Sequence, residues 1–321
     1  MKKILITGVM GFVSKHLIDH LSATDECYEI TGLCRHPGKI DVDNKKIKLN
    51  LVATDLNDRE KILPLLDKVR PGQVIHLASD SSVAHSWHTP VESFQNNTNI
   101  FLNLVESVRN LNFPCRILSI GSSEEYGVVD ASNIPISENT PFNPVSPYAV
   151  ARVSQELLSK IYVNGYGMDI VMTRSFNHIG PGQKDDFVVS SFAKQIMNIR
   201  KGKASVLEVG NIDIVRDFLD VRDVVKAYML LLEKGKSGEM YNVCSGAGYS
   251  LKEVLDKMML IADVDFGYHI NKELIRPADN PVIIGSNKKI KEECGWQPLI
   301  SLNGSLEDIL AYWDKEGGGS A

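Results

Sequence analysis

No apolar run in this 321-residue sequence approaches the ~20 residues needed to span a bilayer, so no membrane partner is expected. The start, MKKILITG, has two lysines, but its apolar stretch is only about four residues long before Thr7, too short for a secretory signal. Cysteine is scarce: five residues, at 27, 34, 115, 244 and 294, form no CxxC pair and no Cys/His ligand spacing. That excludes a disulfide framework, gives no reason to expect a metal, and fits reduced thiols in a cytoplasmic protein. Positive charge is also short, with 35 Lys and Arg against 40 Asp and Glu, a net charge of −5. There is no basic footprint for nucleic acid, and any bound anion must be held by local groups. Repeats and low-complexity linkers are absent as well. Residues 316–321 read as a linker or tag and are left out of the fold reasoning.

What is present is alternation. KILIT (3–7), YEITGLC (28–34), KIKLNLV (46–52), QVIHLA (73–78) and RILSIG (116–121) read as strands. Between them, GFVSKHLIDHL, DREKILPLLDKV and NNTNIFLNLVESVRNL carry apolar residues at helical spacing. Parallel neighbours need crossover connections, so this rhythm predicts an α/β fold, a Rossmann-type doubly wound parallel sheet. After NHIGPGQ (177–183) the elements become mixed, which predicts a smaller, interleaved C-terminal substrate domain. The expected division is 1–175 for the Rossmann domain, with parts of 211–245 returning to it, and mainly 176–315 for the second. A ligand is expected in the cleft beyond the carboxyl ends of the strands.

The loop LITGVMGFVSKHL leaves the first strand and opens the first helix with Gly8-x-x-Gly11-x-x-Ser14. Gly8 permits the tight turn and Gly11 lets backbone approach a pyrophosphate at the helix N-terminus, beside Phe12 and Val13. Ser14 stands where a third glycine serves close helix–strand packing, and a slight local adjustment is expected. The second strand ends at Cys34-Arg35-His36 with no acid to bind a ribose 2′-hydroxyl. Unless Arg35 is simply a solvated cation, it favours the 2′-phosphate of NADPH, with NADH as the alternative. Asp55, after the third strand, offers an acceptor for the adenine amino group, with Leu56 as an apolar wall.

IGSSEEYG (120–127) ends the fifth strand, where side chains face the cleft. Ser122 is a hydroxyl placed to bond a substrate oxygen, and strand alternation points Glu124 to the same side. SPYAVAR then puts Tyr148 and Arg152 one helical turn apart. A phenol titrates near pH 10, so neutral acid–base work needs a neighbouring cation, which Arg152 can supply.

On TGVMGFVSKHL, VIHLAS, IGSSEEYG, SPYAVAR, RSFNHIGPGQ, FAKQI, VGNIDIVRDFLDVRDVV, YNVCSG and GSNKKIKEECGWQP, the chain resembles an extended short-chain dehydrogenase/reductase acting on nucleotide sugars. The resemblance covers essentially the whole length. It is similar to GDP-mannose 4,6-dehydratases and, more closely, to GDP-4-keto-6-deoxy-D-mannose reductases. This implies a catalytic set of Ser122, Tyr148 and Arg152, with Glu124 where dehydratases carry a base, and adds Leu77 and Ala78 to the cofactor contacts. It implies a GDP-sugar substrate whose diphosphate meets Lys194, Arg216 and Arg276 and whose sugar meets Ser81 and Asn177. A homodimer through helices near 90–110 and 147–164 is expected on the same ground. The implied reaction is NADPH-dependent reduction of a GDP-4-keto-6-deoxy-hexose. The alternatives are a 4,6-dehydratase and a binding protein without catalysis. The departure is Arg152, where the family carries lysine. Arg keeps the charge and has donors enough for the ribose hydroxyls, so Arg152→Lys is expected to keep or raise activity.

Overall fold

The computed structural model describes residues 1–42, 44–275 and 280–316. Its first half runs β1 (Lys2–Thr7), α1 (Phe12–Ser22), β2 (Tyr28–Cys34), β3 (Ile47–Ala53), α2 (Arg59–Val69), β4 (Gln73–His76), α3 (Val83–His88), α4 (Pro90–Leu111), β5 (Arg116–Ser122), α5 (Pro147–Tyr166) and β6 (Asp169–Ser175). The remainder runs β7 (Asn177–Ile179), α6 (Val188–Arg200), β8 (Leu207–Val209), β9 (Val215–Asp220), α7 (Val221–Lys234), β10 (Met240–Val243), β11 (Gly248–Ser250), α8 (Leu251–Ala262), β12 (Tyr268–Ile270), β13 (Val282–Ile283), α9 (Lys288–Cys294) and α10 (Leu302–Glu316).

Seven strands form one parallel sheet in the order β3-β2-β1-β4-β5-β6-β10. The expected Rossmann-type sheet is what forms. Alternation along β1 sends Ile4 and Ile6 to one face and Leu5 to the other. Ile4 and Ile6 pack with Leu17, Tyr228 and Trp296, under α1, α7 and the end of α9. Leu5 packs with Val74, Phe101, Leu104 and Tyr162, under α2, α4 and α5. A separate core of Phe192, Ile196, Leu255 and Ile309 joins α6, α8 and α10. Beside it lies a small sheet, β11-β9-β13, with β7 paired to β9. VRDFLD, which carries no turn signal before α7, is thus a strand of its own, and its Asp220 accepts from Arg222 N to cap α7.

Chain order reverses beside β1, which pairs with β2 on one side and β4 on the other. The two strand ends there are tied together. Thr7 Oγ1 bonds His76 Nδ1 at 3.0 Å and accepts from Ala78 N at 3.0 Å. Burial and the Arg152 charge push the His76 imidazole down to about 3, so it stays neutral. That reversal is where an open α/β sheet leaves a crevice for a ligand.

Helix α5 turns a polar stripe inward. Its buried face carries Tyr148, Arg152, Gln155, Glu156 and Ser159, while Val150, Leu157 and Ile161 are exposed. An amphipathic pattern normally buries its apolar stripe. Here the face on the sheet joins these polar side chains to buried Ala149, Ala151 and Tyr162, and part of the apolar surface is left outside.

Candidate active site

Gly8 has φ +68°, and a Cβ on it would stand 2.8 Å from Ala78 N. Only glycine fits this turn without strain, and it brings the loop directly onto Leu77 and Ala78. Gly11 is the N-cap of α1 in extended conformation, with no side-chain cap on the first-turn amides. Bare amides at the positive end of a helix dipole suit an anion such as a pyrophosphate. Ser14 is buried and donates to Gly8 O at 2.9 Å, so its hydroxyl ties the turn instead of merely being tolerated. Phe12 stacks on His178 with ring centroids 6.3 Å apart, and Val13 packs against the core. Gly8→Ala should destabilise the fold by about 1–2 kcal/mol and weaken NADPH binding roughly tenfold, measurable by thermal melting and fluorescence titration.

Arg35 and His36 are exposed just past β2, and neither pairs with a carboxylate among the described residues. The donors present fit a 2′-phosphate. Asp55 is exposed and accepts from Asn57 N at 2.9 Å, whereas Leu56 is sunk in the core with Leu5 and Phe101. The glycine turn, the bare helix end and the basic strand end thus lie at the carboxyl ends of β1 and β2, and Leu56 is corrected from a site wall to a core residue.

Ser122 is the last residue of β5, and α5 packs against both β5 and the turn after it. Tyr148 is 6% and Arg152 4% exposed, with the Arg152 guanidinium carbon 5.2 Å from the Tyr148 ring centroid. The pair is thus built as the sequence predicts. Strand alternation fails for Glu124, however. The strand stops at Ser122 and residues Ser123–Tyr126 form a 3₁₀ turn. Ser122 Oγ accepts from Glu124 N at 3.2 Å, and Ser122 N donates to Glu125 Oε1 at 2.7 Å. A capping exchange of this kind turns the chain before a second strand residue can alternate.

Behind Ser122 lies a buried ionic cluster. Arg174 donates to both oxygens of Glu156, at 2.9 and 3.0 Å, and lies 3.7 Å from Glu125. Burial and the neighbouring Glu156 push the Glu125 carboxyl up, so it favours its neutral form. Glu156 is held low, against its burial, by Arg174 and Lys160.

Arg152 itself is more committed than its sequence position suggests. Nη1 donates to Ile120 O at 3.1 Å and to Gln155 Oε1 at 2.7 Å, and Nη2 donates to Ser79 Oγ. Its Nε is buried with no partner among the described residues. The expectation that Arg152 has donors to spare is corrected accordingly: three of the five guanidinium N–H groups already serve the protein. Ser79 closes the VIHLAS motif but carried no signal of this role, and Gln155 is marked only as a glutamine one turn after Arg152.

The residues expected at the substrate are more dispersed. Ser81 is exposed in the loop before α3, and Asn177 begins β7. Lys194, on α6, is paired with Asp185 at 2.6 Å and lies 5.7 Å from the Trp313 ring. Arg216 is buried, donating to the backbone carbonyls of Val215 and Asn280. Arg276 lies outside the described residues.

Comparison with known proteins agrees with this geometry. A family profile described as GDP-mannose 4,6 dehydratase matches residues 5–309. The chain is 35% identical to the GDP-6-deoxy-D-mannose reductase of Pseudomonas aeruginosa over 315 residues, covering 98% of each. It is 27% identical to the GDP-mannose 4,6-dehydratase of Vibrio cholerae, covering 96% of this chain and 93% of that one. A solved structure of RMD from Pseudomonas aeruginosa complexed with NADPH superposes with a TM-score of 0.86 at 33% identity, over 98% of this chain and all of the other.

Proposed function

The chain belongs to the GDP-mannose 4,6-dehydratase family, and from that premise we propose that it is an NADPH-dependent reductase of the C4 keto group of a GDP-4-keto-6-deoxy-hexose. The product is a GDP-6-deoxy-hexose of the GDP-rhamnose kind. One observation carries the choice of reaction: the full-length reductase relative is 35% identical, against 27% for the Vibrio cholerae dehydratase.

NADPH, when bound, supplies the hydride. Ser122 bonds the C4 oxygen and orients the keto group. Tyr148 delivers its proton to that oxygen as negative charge develops there. Arg152, against the Tyr148 ring, stabilises the tyrosinate left behind. Leu77 and Ala78 wall the glycine turn, and Arg35 with His36 bind the 2′-phosphate. Lys194, Arg216 and Arg276 hold the diphosphate, while Ser81 and Asn177 meet the sugar. For Lys194 this requires sharing its ammonium with Asp185, which already bonds it.

Glu124 supports a second reading, a 4,6-dehydratase that takes a proton from C5 and returns the hydride internally. The discriminating experiment follows NADPH absorbance with a GDP-4-keto-6-deoxy-hexose. Reduction consumes one NADPH per sugar, whereas dehydration of GDP-mannose consumes none. Tight NADPH binding with no turnover of either sugar would instead favour a binding protein.

A homodimer fits the apolar side chains that α5 leaves exposed. Val150, Leu157 and Ile161 are exposed on α5, and Val91 and Phe94 are exposed on α4, against which α5 packs. A second copy would cover this face. Ile161→Glu should shift the dimer towards monomer at micromolar concentration in size exclusion with light scattering. A dimer unaffected by Ile161→Glu would place the interface elsewhere. The five cysteines are unpaired, which supports the cytoplasmic placement.

A further inference from the structure

The bonding around Arg152 continues outward to Ser79, in the loop that carries Leu77, Ala78 and Ser81. Ser79 follows β4, accepts from Arg152 Nη2, and donates to Asn97 Oδ1 at 3.0 Å. Asn97 is fully buried on α4 and holds that loop in place. Its Oδ1 also accepts from Asp80 N at 3.1 Å, and its Nδ2 donates to Asp80 O at 3.2 Å and Ser93 O at 2.7 Å. Position 79 therefore needs a group that accepts from a cation and donates to an amide oxygen at once. A hydroxyl does both, and alanine does neither.

On the other side, Gln155 cannot turn away from Arg152. Its amide nitrogen is committed to Ser119 Oγ at 2.9 Å and Ile120 O at 3.0 Å, which fixes its oxygen towards the guanidinium. The fork is thus gripped from the loop after β4, from β5 and from α5. What remains uncommitted is Nε–H, buried without a partner among the described residues, and one N–H of Nη2. A buried orphan donor at a ligand site calls for an acceptor from the ligand.

We propose that Ser79 is a positioning residue for Arg152, aiming the guanidinium so that these two N–H groups meet the vicinal hydroxyls of the cofactor's ribose. A lysine at 152 would carry one ammonium and no second arm for Ser79. The bond from Ser79 thus uses the second arm that an arginine brings to this place. The inference rests on the reductase reading for its activity arm, but not for its binding arm.

The test is a double-mutant cycle between Ser79→Ala and Arg152→Lys, with Ser79→Thr as the conservative control. NADPH affinity is read by fluorescence titration, and kcat and KM for the keto sugar by NADPH consumption. Ser79→Ala should weaken NADPH binding and lower kcat by about tenfold each, with the sugar KM within about twofold. Ser79→Thr should restore both to within about twofold. In the Arg152→Lys background, Ser79→Ala should add less than about twofold, because the bond it removes is already gone. An unchanged NADPH affinity in Ser79→Ala, failure of Ser79→Thr to restore it, or an equal loss in both backgrounds would overturn the proposal. If the unaltered enzyme reduces no GDP-keto sugar, the reductase reading fails, and the NADPH titrations alone decide the role of Ser79.

Discussion

Tyr148→Phe should lower kcat by about 100- to 10,000-fold while NADPH binding stays within about twofold. The substitution removes one oxygen and leaves the ring, which is buried and packed against the Arg152 guanidinium. α5 keeps its cap as well, since Ser146 accepts from Ala149 N at 3.1 Å independently of the phenol. The loss is thus confined to proton delivery at the C4 oxygen. Steady-state kinetics with a GDP-4-keto-6-deoxy-hexose measures it, and circular dichroism verifies the fold. A kcat within tenfold of the unaltered enzyme would mean that another group, with Glu124 the first to test, delivers the proton.

Arg152→Met should cost both activity and stability. It removes the cation beside Tyr148 and leaves Ser79 Oγ and Gln155 Oε1 without the donor each now has, while Ile120 O keeps Gln155 Nε2. Buried acceptors left without a donor cost about 1–3 kcal/mol each, so a drop of several degrees in Tm is expected with the loss of turnover. kcat should fall by about 100-fold or more. Arg152→Lys is the more informative variant. Sequence alone predicts unchanged or higher activity, because lysine is the family residue. The bonding predicts a decrease of about tenfold, since an ammonium cannot span Ser79 and Gln155 as the planar fork does. Thermal melting and kcat/KM separate the two outcomes.

The sheet was readable because its signal is local. Strand–helix alternation, the Gly8–Gly11 turn and the Tyr148–Arg152 spacing each lie within one or two elements, and all appear where their periodicity places them. The alternation argument for Glu124 fails because it assumes a continuing strand, and the Ser122–Glu125 exchange ends it. The partners of Arg152 were not readable for a different reason. Ser79 is 73 positions away, and nothing in a lone serine announces a cation above it. The orientation of α5 was hidden too. Its composition is amphipathic either way, and only the site decides that Gln155 and Ser159 face Ser119 while Ile161 faces out. The pattern of a helix reports that it has two faces, not which one the sheet takes.

The central claim is that hydride from NADPH ends on the sugar. Turnover of a GDP-4-keto-6-deoxy-hexose with NADPH deuterated on the transferred position, read by mass spectrometry of the product, tests it directly. The account predicts one deuterium at C4 of every GDP-6-deoxy-hexose formed. A product without deuterium, or conversion of GDP-mannose to its 4-keto-6-deoxy form with no net NADPH consumed, would contradict it.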